Sequence, residues 1–183
     1  MTKILKISLA LLLATGNMQI RPEQTIKWTT NPWSVSQEVF DYIRKTIPEG
    51  ETIVELGSGW ASNQFSKFYT VFSVEHDPKW LAKYDTNYIY APIKNSWYDP
   101  EILAKQLPKN YNLILVDGPT GAIGRYGFCT YLHLFKTDVI IIFDDVHREA
   151  EYKLMIDVAE KLKKDFTIHT DRFGKQFGII DNR

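Results

Sequence analysis

The sequence predicts an α/β fold: a mainly parallel sheet with helices on both faces. Short runs of apolar and β-branched residues alternate with helical segments along the chain, which is typical of parallel strands joined by crossover helices. A glycine-rich turn follows the first of these strands. The chain closes with two strands whose connecting turn is so short that they must pair antiparallel.

Composition limits the class of protein. A chain of 183 residues is long enough for one domain with a sizeable core and too short for two of ordinary size. Its 22 basic and 22 acidic residues cancel, so no overall charge attracts the protein to nucleic acid or to an anionic membrane. The single cysteine, Cys129, excludes an internal disulfide framework and fits a reducing compartment.

The N-terminal segment, residues 1–35, is expected to supply a helix and a cap ahead of a core that spans residues 36–183. Apolar residues recur at helical spacing within residues 4–13. A secretory signal is the alternative, because Lys3 and Lys6 accompany this apolar run. The run is too short to span a bilayer. We expect a cytoplasmic protein without a stable membrane span, with export as the alternative.

The elements of the core follow from apolar periodicity and from turn residues. A helix capped by Ser34 or Ser36 should run to about Thr46, and Trp28 and Trp33 ahead of it either pack on the core or close over a ligand. The later elements are, in chain order, a strand before the glycine turn and a helix after it, a strand at 69–75, a short helix at 78–84, a strand at 87–91, a helix at 101–106, a strand at 111–117, a helical segment at 128–135, a strand at 138–143, a helix at 149–164 and hairpin strands at 166–170 and 176–180.

Acidic residues stand at the end of successive predicted strands, and the glycine turn follows the first of them. Gly57 and Gly59 allow the backbone to turn sharply and to approach a ligand closely. The carboxyl ends of parallel strands meet at one edge of the sheet, where ligands bind. An isolated acid at a strand end is commonly a turn former or a cap. Their succession predicts a binding crevice lined by Glu55, Glu75, Asp117, Asp144 and Asp145.

Glu75 has the most specific expected role. It follows Gly57 by one strand, close to the spacing at which an acid accepts hydrogen bonds from ribose hydroxyls in nucleotide-binding α/β folds. The dinucleotide fingerprint also needs a third glycine, and Ser62 stands in its place. The sequence therefore predicts a nucleoside-like cofactor and disfavours hydride transfer.

The motif Glu55-Leu-Gly57-Ser-Gly59, Glu75 one strand later, Asp117 after the fourth strand and the closing hairpin together resemble the class I S-adenosylmethionine-dependent methyltransferases. The resemblance implies a Rossmann-like sheet of seven strands, mainly parallel, with one antiparallel strand from the C-terminal hairpin. It also implies that the methionine part of the cofactor lies over the glycine turn and the ribose lies on Glu75. The cofactor-binding residues would be Glu55, Gly57, Ser58, Gly59, Ser62, Glu75, His76 and Asp117.

A narrower likeness concerns the strand ends at Asp117 and at Asp144-Asp145. Metal-dependent O-methyltransferases of the catechol type carry an aspartate and an Asp-Asn pair at these places, which hold a magnesium ion. This chain has Asp145 where that family usually has asparagine. Three carboxylates suit Mg²⁺, so the resemblance implies a possible metal site at Asp117, Asp144 and Asp145. Glycan O-methyltransferases carry similar signatures.

Without a metal, the candidate general bases are Asp117, Asp144 and His147. Arg125 and Arg148 lie in loops at the same predicted edge. They either bind an anionic group of the acceptor or neutralise the surplus of acids. Trp33 is a further candidate for contact with the acceptor.

These observations lead to a predicted S-adenosylmethionine-dependent methyltransferase that acts on a hydroxyl of a small molecule or sugar. We expect a small-molecule or glycan acceptor and no nucleic-acid partner, since no basic run is present. The alternative is a non-catalytic, methyltransferase-like module that keeps the nucleoside pocket. The sequence leaves the identity of the acceptor and the oligomeric state open.

Overall fold

The computed structural model describes residues 28–29, 31, 33–181 and 183. The expected N-terminal helix, and the signal that is its alternative, fall within residues 1–27 and lie outside the described residues. Within the described part of the chain, no helix has the length and apolar character needed to cross a bilayer.

The elements alternate as the sequence predicts. The strands, in chain order, are β1 (Thr52–Leu56), β2 (Thr70–Glu75), β3 (Asn87–Tyr90), β4 (Ile93–Lys94), β5 (Trp97–Tyr98), β6 (Leu113–Val116), β7 (Ile140–Phe143), β8 (Thr167–Thr170) and β9 (Gln176–Asp181). The α-helices are α1 (Gln37–Thr46), α2 (Trp60–Phe65), α3 (Pro100–Gln106), α4 (Gly127–Thr130) and α5 (Glu149–Leu162).

The main sheet has seven strands in the order β3-β2-β1-β6-β7-β9-β8. Strand β9 runs antiparallel to both of its neighbours, β7 and β8, while the other pairs are parallel. This confirms the predicted sheet with one antiparallel strand from the C-terminal hairpin. Every residue of the central strands β6 and β7 is buried, as expected for strands covered on both faces.

The sheet separates two apolar cores, because successive residues of a strand point to opposite faces. Ile53 of β1 packs in one core with α1 and α2. Val54 packs in the other core with residues of α3, α4 and α5. Helix α1 begins after Ser36, whose side chain accepts a hydrogen bond from the backbone N–H of Val39, so Ser36 is the cap.

Two expected helices are shorter than predicted. The segment 78–84 forms only one 3₁₀ turn, Pro78–Trp80, because the backbone becomes extended at Leu81 and left-handed at Ala82 (φ 58°). The segment 128–135 divides into α4 and a 3₁₀ turn at Leu132–Leu134. Such short segments depend on tertiary packing for their helical stability.

A small hairpin of β4 and β5 lies between β3 and α3, where the sequence predicted no helix or strand. Its turn consists of Asn95 and Ser96, both with positive φ (54° and 62°), which is the geometry of a tight type I′ hairpin turn. The hairpin buries Trp97 and Tyr98 completely. It thereby brings Tyr98 to the edge of the sheet that carries the acidic residues.

Candidate functional site

A crevice of about 420 Å³ lies at the carboxyl ends of the parallel strands. Backbone pairing aligns these ends: the N–H of Asp117 donates to the carbonyl of Leu56 (3.1 Å), and that of Asp144 donates to the carbonyl of Val116 (3.1 Å). The predicted cofactor-binding residues that line the crevice are Gly57, Ser58, Gly59, Glu75, His76 and Asp117. The fold therefore gathers residues from three strand ends around one cavity of ligand size.

The glycine turn forms one wall. Gly57 has a positive φ of 93°, which glycine adopts without strain. A Cβ atom at Gly57 would lie 3.2 Å from the Cα of Gly118, so the two loops are packed backbone to backbone. The N–H of Gly59 donates to the hydroxyl of Ser62 (2.9 Å). Ser62 is fully buried, and it stabilises the turn from beneath instead of lining the crevice.

Glu75 is held in a fixed position at the end of β2. Its Oε1 accepts hydrogen bonds from the backbone N–H groups of His76 (2.7 Å) and Asp77 (2.9 Å). Its Oε2 accepts one from the N–H of Ser58 in the glycine turn (3.1 Å). A carboxylate oxygen can accept two hydrogen bonds, so Oε2 retains one position for a ligand donor. The carboxylate is 4% exposed and is oriented before any ligand binds.

Tyr98 is a site residue that sequence reasoning missed. Its side chain is completely buried, lines the crevice, and places its hydroxyl beside Gly118. This hydroxyl has no hydrogen-bond partner within the described residues. Burial, with the nearby charge of Glu75, raises its pKa well above the usual value, so it stays protonated. An unpaired buried hydroxyl is costly, and here it offers a donor to a bound molecule. The Asn95-Ser96 turn was the signal that could have revealed it.

Glu55 lies below the glycine turn and does not line the crevice. It is 2% exposed and accepts a hydrogen bond from the hydroxyl of Ser73 (2.5 Å). Burial raises its pKa to about 7, although the hydroxyls of Ser62 and Ser73 act in the opposite direction. Its contacts support the turn rather than the ligand.

Three carboxylates meet at the other end of the crevice. Oxygen atoms of Asp117, Asp144 and Asp145 lie within 4.8 Å of one another. Asp145 has a positive φ of 62°, a conformation that aspartate tolerates better than most residues. The predicted convergence of these strand-end acids therefore occurs in the structure.

Arg125 is buried among these acids. Its Nη2 contacts Asp117 Oδ1 (3.2 Å) and Asp145 Oδ2 (3.1 Å), and its Nη1 donates to the carbonyl of Asp144 (3.1 Å). Its Nε donates to the carbonyl of Pro119 (3.3 Å). These contacts support the neutralising role expected as an alternative to acceptor binding, because the guanidinium is directed into the protein.

Lys175, which immediately precedes β9, is a second cation in the cluster. It was not identified from the sequence as a site residue. Its Nζ lies 3.1 Å from Asp144 Oδ2 and 3.1 Å from Asp145 Oδ1. Burial lowers the pKa of Lys175, but Asp144 and Asp145 raise it by more than burial lowers it. The side chain therefore remains an ammonium. Arg148 adds a contact of 3.0 Å between its Nη1 and Asp145 Oδ2.

Burial and the neighbouring charges together set the pKa values of the three acids. Burial, with the nearby charge of Asp144, raises the pKa of Asp117 well above its usual value. Burial also raises the pKa of Asp144, although Lys175 offsets part of the effect. For Asp145, burial acts in the same direction, but Lys175 and Arg125 outweigh it and lower the pKa. Asp117 is therefore the acid of this cluster with the strongest tendency to accept a proton, which is the property that a general base needs.

The cluster as arranged does not fit a divalent cation. Both oxygens of Asp145, and one oxygen each of Asp117 and Asp144, lie at ion-pair distance from Arg125, Lys175 or Arg148. Asp145 Oδ1 makes no hydrogen bond within the described residues, and Lys175 Nζ, at 3.1 Å, is the cation next to it. Mg²⁺ requires near-octahedral oxygen ligands at about 2.0–2.1 Å. It would have to displace protein cations to reach these oxygens.

The remaining predicted residues differ in their access to the crevice. Asp145, Arg148 and Trp33 line it, and Trp33 is 82% exposed at its rim. Asp144 belongs to the cluster but is buried and does not line the crevice. His147 is exposed and lies away from the crevice walls. Trp28 packs against Phe40 and Trp60, so only one of the two expected tryptophans reaches a position next to a ligand.

Known proteins are similar to this chain in fold and not in sequence. No protein-family model matches the chain, and no curated protein matches it in sequence. A chain of the E. cuniculi Mtq2–Trm112 complex, which is responsible for methylation of the eRF1 translation termination factor, is similar with a TM-score of 0.50 and 14% identity, over 80% of this chain and 94% of that one.

Two further structures have the same architecture. A methyltransferase from Pyrococcus furiosus is similar with a TM-score of 0.54 and 11% identity, over 80% of this chain and 82% of that one. The MycE methyltransferase from the mycinamycin biosynthetic pathway, in complex with Mg, SAH and mycinamycin VI, has a TM-score of 0.50 and 11% identity, over 79% of this chain and 48% of that one. The chain therefore has the fold of the class I S-adenosylmethionine-dependent methyltransferases, as the motifs predicted.

Proposed function

We propose that the chain is an S-adenosylmethionine-dependent methyltransferase that methylates a hydroxyl oxygen of a small molecule or sugar. The observation that carries the proposal is the carboxylate of Glu75, which three backbone N–H groups fix beside the Gly57–Gly59 turn in the crevice. A buried acceptor of this kind, at the end of the second strand, suits an unphosphorylated ribose.

The cofactor is proposed to lie along the crevice from Trp80 to the glycine turn. Its ribose would donate to the free position on Glu75 Oε2, and its methionine part would lie over Gly57–Gly59. His76, Asp77 and Trp80 line the end of the crevice beyond Glu75. They supply an aromatic surface and polar atoms at the place where the adenine would lie.

The acceptor is proposed to enter at the opposite end. Trp33 presents an exposed apolar ring at the rim, and Arg148 lines the wall with its side chain 40% exposed. Arg148 contacts Asp145 through Nη1, and a guanidinium carries further N–H donors. These donors support an acceptor that carries an anionic or strongly polar group next to an apolar one.

The reaction depends mainly on placement. When bound, the cofactor supplies an electrophilic methyl group, so an acceptor hydroxyl held in line needs little further activation. Asp117 lies on the crevice wall between the two ends and is the proposed base. It would take the proton from the acceptor hydroxyl as the oxygen–carbon bond forms and the sulfur–carbon bond of the donor breaks, with S-adenosylhomocysteine as the leaving group. Arg125, held at Asp117 Oδ1, fixes the orientation of the carboxylate.

The test is the formation of S-adenosylhomocysteine with a panel of hydroxylated small molecules and sugars. Wild-type protein should turn over at least one acceptor. Asp117→Asn should lower kcat by about 10²- to 10⁴-fold, the contribution of a general base, and should lower the affinity for S-adenosylhomocysteine by a much smaller factor. Binding without turnover of any acceptor would favour the non-catalytic nucleoside-binding module. Absence of cofactor binding would contradict both functions.

A further inference from the structure

Protein cations neutralise the acid cluster at the acceptor end of the crevice without an added ion. When ionised, Asp117, Asp144 and Asp145 contribute three negative charges. Arg125, Lys175 and Arg148 contribute three positive charges at distances of 3.0–3.2 Å from carboxylate oxygens. Charges that are buried and paired in this way are retained, whereas an additional unpaired one would be strongly disfavoured.

Lys175 occupies a position that a bridging ion would take. Its ammonium lies equally far, at 3.1 Å, from an oxygen of Asp144 and an oxygen of Asp145. It also donates to the carbonyl of Ser34 (3.4 Å), which precedes α1. One cation from the C-terminal hairpin therefore joins the end of β7 to the segment that forms the rim of the crevice.

We propose that Lys175, together with Arg125, replaces a divalent cation in this site. The protein's own cations hold the three carboxylates in place, and the site works without a metal. Lys175 is a positioning residue: it fixes Asp144 and Asp145. Arg125 holds Asp117, the carboxylate that lines the crevice and would face the acceptor. Only the role of Asp117 toward the acceptor rests on the proposed methyl transfer. The replacement of the metal ion by protein cations does not.

The same geometry predicts what removal of Lys175 does. Without the ammonium, Asp144 Oδ2 and Asp145 Oδ1 lose their only cationic contacts within the described residues, and the cluster has a net negative charge. Adjacent carboxylate oxygens of this kind attract a hard divalent cation. A lysine-free variant should therefore gain a metal site that the wild-type protein lacks.

The experiment is a titration with Mn²⁺ alone, followed by electron paramagnetic resonance and by thermal unfolding, on protein without cofactor or acceptor. Wild-type protein should show no site-specific binding and no rise in Tm. Lys175→Met should bind Mn²⁺ at least about tenfold more tightly than wild type and should be stabilised by it. Because neither readout involves methyl transfer, failure of the proposed function leaves this test unaffected.

Two control variants make the result specific. Lys94 bridges Asp99 and Glu101 on the surface, so Lys94→Met removes a similar lysine elsewhere and should gain no comparable site. Adding Asp144→Asn to Lys175→Met should abolish the gained binding. If Lys175→Met does not fold, Lys175→Gln keeps a hydrogen-bond donor and serves in its place. Wild-type binding of Mn²⁺ that Asp144→Asn removes, or lysine-free variants that bind no Mn²⁺, would overturn the proposal.

Discussion

Some polar groups of the crevice lack a partner in the ligand-free protein, which lowers its stability but leaves these groups available to a ligand. Tyr98 shows this most clearly, because its hydroxyl is buried without a partner beside Gly118. An unsatisfied buried donor destabilises a fold by about 1–3 kcal/mol. A cofactor atom that accepts this hydrogen bond would recover that energy on binding.

Tyr98→Phe should therefore change stability and affinity in opposite directions. The free energy of unfolding of the empty protein should stay the same or rise by up to about 1 kcal/mol. The affinity for S-adenosylhomocysteine should fall about tenfold, since one hydrogen bond is lost. Chemical denaturation and calorimetry measure the two quantities separately.

Tyr69→Phe is the matched control for Tyr98→Phe. The hydroxyl of Tyr69 donates to the backbone carbonyl of Ile47 (3.2 Å) in the core, away from the crevice. Its removal should lower stability and leave cofactor affinity unchanged. If Tyr98→Phe behaves like this control, Tyr98 is a packing residue and does not contact the cofactor.

At the scale of elements, the site depends on two loops that touch without side chains between them. The turn after β1 and the loop after β6 meet at Gly57 and Gly118. A Cβ atom at Gly118 would lie 2.8 Å from the Cα of Gly57 and 2.5 Å from the hydroxyl oxygen of Tyr98. Such distances force backbone or side-chain movement.

Gly118→Ala should destabilise the protein by about 1–3 kcal/mol, the usual cost of overpacking, and should weaken cofactor binding because the crevice wall moves. Gly59→Ala is the matched control, since a Cβ atom there meets no atom within 4 Å. It should change stability by less than about 1 kcal/mol. Denaturant titration of both variants compares them, and equal stability losses would contradict the role assigned to the loop contact.

Most elements could be predicted from the sequence because their signals are local. The buried strands are continuous apolar runs, and the acids at their ends lie together because parallel strands end at one edge. The β4–β5 hairpin was missed since each strand has only two residues, too few for a periodic pattern. The segment 78–84 was overpredicted because one helical turn cannot be distinguished from a short helix by composition.

The cations of the site were the least predictable part. Lys175 reaches Asp144 only after the last strand pairs antiparallel with β7, and this contact spans 31 positions of the sequence. Arg125 was recognised, but its direction into the acid cluster depends on the fold of its loop. The acids alone therefore suggested a metal site, and only the long-range contacts show that protein cations lie among them.

For the whole molecule, buried acids should make stability depend on pH. The pKa of Glu55 is about 7 in the folded protein, against 4.5 as its ordinary value. A carboxyl whose pKa is raised by folding is favoured in its neutral form. Its contribution to stability is therefore fully present below about pH 4.5 and is lost as pH rises through about 7.

Glu55→Gln, which resembles the neutral acid at all pH values, should remove this dependence. Relative to the variant, the wild-type free energy of unfolding should fall by about 2–3 kcal/mol between pH 5 and pH 8. Urea denaturation across that range measures the difference in free energy of unfolding. Because both proteins contain Asp117 and Asp144, the contributions of these two acids cancel in the difference. Parallel stability curves for the two proteins would show that Glu55 is ionised in the fold at neutral pH.

The central claim is that the crevice binds the methyl donor through Glu75, and calorimetric titration with S-adenosylhomocysteine tests it most directly. Wild-type protein should bind one equivalent. Glu75→Gln keeps the size of the side chain but loses the charge that accepts the backbone and ribose hydrogen bonds, so affinity should fall at least about 30-fold, a loss of about 2 kcal/mol. Wild-type affinity in Glu75→Gln, with its fold intact by circular dichroism, would contradict the account.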